Sequence, residues 1–106
     1  MDETQFNALA EAAMGEIERA LEQCAAELDY EVKPGSVLEV EFDDGSKVII
    51  NRHSAAREIW VAARSGGFHF REDGGRWVGT RGGEDLFAVL SRVLSEQSGE
   101  TVELRP

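Results

Sequence analysis

The spacing of apolar residues along this chain changes twice, and those two changes bound what it can fold into. Phe6, Leu9, Ala10, Ala13, Ile17, Ala20, Leu21 and Cys24 recur every three or four residues, which lays them along one stripe of a helix. From Leu28 the period becomes two. Leu28, Tyr30 and Val32 alternate with Asp29 and Glu31, and Leu38, Val40 and Phe42 alternate with Glu39, Glu41 and Asp43. Such alternation belongs to strands that bury one face. Helical spacing returns in Leu86, Val89, Leu90, Val93, Leu94 and Gln97.

The punctuation agrees with these periods. Asp2 with Gln5 three residues on forms a capping-box pair, so the first helix is predicted over residues 3 to 25. "KPGS" sets Pro34 and Gly35 in a type II turn, and Asp44-Gly45 signals a two-residue hairpin. "KVIINRH", "EIWVAAR", "FHFRE" and "RWVGT" supply four further strands, with "SGG" and "DGG" as breaks. Short links between six strands predict an antiparallel meander. Glu84 and Asp85 fall in the first turn of the closing helix, Gly99 stops it, and "TVELRP" packs as an irregular extension.

At 106 residues the chain is one domain, residues 1–106, with a single core. Two amphipathic helices can cover only one face of such a sheet. The predicted fold is therefore α+β: a two-layer sandwich of a six-stranded antiparallel sheet with its N- and C-terminal helices on one face. In "EIWVAAR", Ile59, Val61 and Ala63 then share the covered face, and Trp60, Ala62 and Arg64 the open one. A tryptophan among polar side chains on an open sheet reads as an interface anchor. The other reading is a ring merely covered by the stem of Arg64 or Arg71. Asn51 and His53 share one side of their strand, and His69 points outward between Phe68 and Phe70.

Charge is unevenly spread. Residues 1–46 carry 13 acidic side chains against Arg19 and Lys33, a balance of −11, whereas residues 47–106 carry 8 acids against 9 bases. The acidic half repels polyanions, so nucleic acid is not an expected partner; cations and basic protein surfaces are. No apolar run reaches the roughly 20 residues of a membrane span, and the acidic N-terminus has no basic leader segment. Cytoplasm is the expected compartment. The single cysteine, Cys24, excludes an internal disulfide and reads as a small core residue. No nucleophile–base spacing or phosphate-binding loop is present, so no enzyme is predicted.

Glu11, Glu18 and Glu22 lie seven and four residues apart, one row along the first helix, and Glu27, Asp29 and Glu31 continue it onto the first strand. Carboxylates suit hard cations such as iron, manganese, calcium or magnesium, and an open row of them holds a metal weakly and releases it readily. The plainer reading is a solvated acidic face that keeps the protein soluble.

"DDGSKVIINRH", "EIWVAARSGGFHF" and "RWVGTRGGEDLFAVLSRVLSEQSGE" together resemble the signature of the bacterial frataxin family, over roughly residues 42 to 100. The combination of Gly45-Ser46-Lys47, Ile50-Asn51, Trp60, Gly66-Gly67-Phe68-His69-Phe70, Trp77, Arg81 and Glu84 carries the likeness. The resemblance implies weak, labile binding of Fe2+ or Fe3+ by surface carboxylates, with Glu11, Glu18, Glu22, Glu27, Asp29, Glu31 and Asp43 as candidates. It also implies docking on the cysteine desulfurase and scaffold protein of iron–sulfur cluster assembly, with Asn51, His53, Trp60 and Arg64 on the contact face. A monomer is implied, with oligomers under iron load. The ridge is thinner than the family's: Arg19, Gln23, Ala25 and Ala26 stand where acids are common. Gly83 likewise replaces a small polar residue that the family commonly places before the second helix. The alternative is an acidic interaction module, regulator or inhibitor, without functional metal.

Overall fold

The computed structural model describes residues 1–106. Helix α1 spans Glu3–Gln23. It is followed by β1 (Asp29–Lys33), β2 (Val37–Glu41), β3 (Lys47–His53), a 3-10 turn (Ser54–Ala56), β4 (Glu58–Ala63), β5 (Gly66–Asp73), β6 (Arg76–Gly79) and α2 (Leu86–Ser98). All six strands pair antiparallel with their neighbours in chain order. The two-layer α+β sandwich is thus the one that the periodicity predicts.

Both helices bury their stripes on the same sheet face. Phe6, Ala10, Ile17, Leu86, Leu90, Val93 and Leu94 meet Leu38, Val40, Val48, Ile50, Ile59, Val61 and Phe70 in a single core. Each of the larger side chains contributes about 1.5–3 kcal/mol by leaving water. Phe6 packs edge-on to Trp77, ring centres 6.0 Å apart. Leu9 belongs to the periodic pattern but stays exposed at the rim of the stripe.

The capping box is present: Gln5 N–H donates to Asp2 Oδ1 at 2.8 Å, and Asp2 N–H donates to Gln5 Oε1 at 3.1 Å. The helix ends two residues short of the predicted end, with Cys24 as its cap. The Cys24 thiol is half-buried and donates to Leu21 and Ala26 carbonyls.

The turns depart from the sequence reading in three places. The β2–β3 connection is longer than the two residues Asp44-Gly45: Phe42 and Ser46 are joined by a backbone bond, with Gly45 left-handed at φ 84°. The β4–β5 turn is Arg64-Ser65, because Gly66 and Gly67 already pair with Ala63 and Ala62. The two-residue hairpin falls instead at Gly74-Gly75, whose φ of 61° and 88° match a type I′ turn. Asp85 caps α2 from outside, accepting from Phe87 and Ala88 N–H groups. The missing polar residue at Gly83 therefore costs the helix no cap. Beyond α2, Val102 and Leu104 are buried along it, and Ser95 and Ser91 hydroxyls accept from their backbone N–H groups at 2.8 and 2.9 Å.

Candidate functional site

Strand alternation puts Asn51, His53, Glu58, Trp60, His69 and Arg71 together on the sheet face that no helix covers. Trp60 pairs with Asn51 on one side and His69 on the other. Its indole lies between two imidazoles, 3.8 Å from His53 with 10° between planes and 4.4 Å from His69 with 7°. Neither arginine covers the ring. Arg64 reaches away to Asp44 at 2.5 Å, and Arg71 turns to Glu58.

Glu58 is the one charged residue among the buried positions, 7 % exposed. Its Oε1 accepts from Trp60 Nε1 at 2.8 Å and lies 3.3 Å from His69 Nδ1; Oε2 accepts from Arg71 Nε at 3.2 Å. Burial alone would push its carboxyl up. The bonds from Trp60 and Arg71 and the charges of His69 and Arg71 outweigh that, holding it below the usual glutamate range. The sequence pattern marks residue 58 only as one that faces away from the helices. Its burial comes from β5 side chains 11 and 13 positions further on, which no local signal discloses.

The acidic row lies on the flank of α1 beside β1, and its members differ. Glu11 accepts from Arg52 Nη1 at 2.6 Å and Ser36 Oγ at 2.5 Å, clasping the helix to the sheet. Glu22 accepts from the Tyr30 hydroxyl at 2.6 Å. That bond and partial burial raise the tyrosine to about 12. Glu18, Glu27, Asp29, Glu31 and Asp43 form no ion pair. Asp29 and Glu31 point to the open face, opposite Glu41 and Glu39, so the acidic band wraps around the β1 edge. Glu39 is neutralised by Lys33 at 3.0 Å and Lys47 at 3.2 Å.

A shallow depression of about 210 Å³ gathers Glu27, Asp29, Glu41, Asp43, Asp44 and Glu100 at the end of the sheet. No three acidic, histidine or cysteine side chains converge closely enough to enclose an ion. The donors present are hard oxygens in water, which fit a hard cation held by one or two carboxylates rather than in a cage.

No helix is long and apolar enough to cross a membrane. Residues 1–100 match the model of the frataxin-like domain. The chain is 58 % identical to the iron-sulfur cluster assembly protein CyaY of Dechloromonas aromatica (strain RCB), covering 99 % of this chain and all of that one. It is 52 % identical to the protein of the same name from Ralstonia nicotianae (strain ATCC BAA-1114 / GMI1000), over 98 % and 95 % of the two chains. Among solved structures, frataxin from Psychromonas ingrahamii superposes with a TM-score of 0.89 at 33 % identity, covering both chains fully. Family model, full-length relatives and fold agree: the chain belongs to the bacterial frataxin family.

Proposed function

We propose that this protein is an iron-binding adaptor of iron–sulfur cluster assembly. It docks on a cysteine desulfurase through the acidic band and on the scaffold protein through the open sheet face. The observation that carries the reading is Trp60, held in an ordered ring stack on the face that the helices leave uncovered. Large aromatic side chains in such positions dominate the energetics of protein contacts. Asn51 and His53 flank the ring, and Arg64 extends the surface toward Asp44. The full-length relatives, named as iron–sulfur cluster assembly proteins, support the process.

Iron is cargo in this reading. Glu18, Glu27, Asp29, Glu31 and Asp43 are free to hold it. Glu11 and Glu22 contribute only by sharing carboxylates already engaged by Arg52 and Tyr30. Weak attachment suits a protein that must release its metal. The protein works as a monomer in the cytoplasm, with oligomers as a state under iron load, and it turns over no substrate of its own.

The absence of three converging carboxylates favours a second reading, an acidic interaction module that recognises its basic partner without metal. Anaerobic titration of Fe(II) into the ¹⁵N-labelled protein separates the two. Paramagnetic broadening confined to Glu18, Glu22, Glu27, Asp29, Glu31 and Asp43 supports the iron-binding adaptor. No broadening, or broadening spread evenly over all acids, supports the module.

A further inference from the structure

We infer that Glu58 is a positioning residue of the open-face docking surface. Its buried carboxylate clamps the Trp60 indole between His53 and His69. The face then meets a protein partner as the edge of one fixed ring with the His53 Nε2–H donor beside it. The inference rests on the docking role given to this face above.

Both faces of the indole are occupied by imidazoles from the two neighbouring strands, so Trp60 offers a partner its edge. Rotation of the ring would break the Nε1–H bond to Glu58. The same Oε1 lies 3.3 Å from His69 Nδ1, so a negative charge faces that edge of the imidazole. His53 is held by a backbone bond. Its Nδ1 accepts the Ala56 N–H at 3.3 Å, so Nε2 carries the proton and donates. Arg71, the remaining charged group on Glu58, is largely exposed and balances the carboxylate without covering the rings. The complement is a segment of the scaffold protein with an oxygen opposite His53, as an extended peptide backbone supplies.

Two variants separate positioning from general structure. Glu58→Gln keeps an oxygen acceptor toward Trp60 and loses the charge and the acceptor that Arg71 Nε uses. Glu58→Ala removes the clamp. Long-range ¹H–¹⁵N spectra of the free wild-type protein should show pyrrole-type Nε2 in His53. Glu58→Ala should shift the Trp60 indole N–H and weaken scaffold binding on the order of tenfold. Glu58→Gln should restore the indole signal and bind within about twofold of wild type. An unchanged indole signal and affinity in Glu58→Ala would overturn the inference. If the spectra match but Trp60→Ala binds scaffold normally, clamping by Glu58 stands and the docking role of the face falls.

Discussion

Ser46 donates its N–H to Asp44 at 2.9 Å and Arg64 closes on the same carboxylate, which together hold Asp44 well below the usual range. A carboxyl depressed by folding adds stability above its unfolded value of about 4, and that stability is lost as pH falls through the folded value. Asp44→Asn should therefore be less stable than wild type at neutral pH, with the gap closing on acidification. Urea unfolding at several pH values checks this; a gap constant with pH would contradict it. Tyr30 works in the opposite sense. Raised to about 12 by Glu22, it contributes stability below its unfolded value of about 10 that is lost as pH rises toward 12. In Glu22→Gln the phenol should titrate nearer 10 by ultraviolet absorbance. An unmoved titration would mean that Glu22 is not its partner in solution and is fully free to bind a cation. Asp44 and Tyr30 show the limit of a one-dimensional reading. The sequence displays each group, but its partner is set by register, as Tyr30 meets Glu22 only after β1 folds back on α1.

At the scale of elements, periodicity and turn residues together disclosed both helices and all six strands, because one buried face imposes its spacing on the elements that touch it. The turns were less legible. Asp44-Gly45 carries the composition of a tight hairpin, yet pairing stops at Glu41 and Lys47 and leaves a longer loop. "SGG" looks like a break, yet its glycines extend the β4–β5 ladder. Register decides such cases, and register is a property of two strands at once. The start of α2 is a sharper test of local chemistry. Asp85→Ala removes the side-chain bonds to two N–H groups and should cost about 1 kcal/mol in equilibrium unfolding. A change near zero would place the cap elsewhere. Leu104 reaches the core although its segment has no regular structure. Leu104→Ala should cost about 2–5 kcal/mol if the tail packs on α2 in solution.

Taken whole, the molecule separates two surfaces. The acidic band runs along α1 and around β1, while His53, Trp60 and His69 stand on β3, β4 and β5, two to four strands from β1. Most of the acidic excess lies in the first 46 residues, so attraction toward a basic surface would act mainly on the band. Charge reversal by Glu18→Lys with Glu22→Lys should weaken desulfurase binding by roughly tenfold or more in low salt, and the loss should shrink as salt is added. Equal binding by both proteins in low salt would remove the band from the interface. The Trp60 face was legible from strand alternation, but its working parts were not, since the Glu58 clamp draws on β3, β4 and β5 together. The most direct measurement is an amide and indole NMR map of the ¹⁵N-labelled protein at saturation with the cysteine desulfurase, and separately with the scaffold protein. Two-surface docking predicts that desulfurase perturbs Glu18, Glu22, Glu27, Asp29 and Glu31, and that scaffold perturbs Asn51, His53, His69 and the Trp60 indole. Perturbation of one common surface by both partners, or an indole signal that scaffold leaves unmoved, would contradict it.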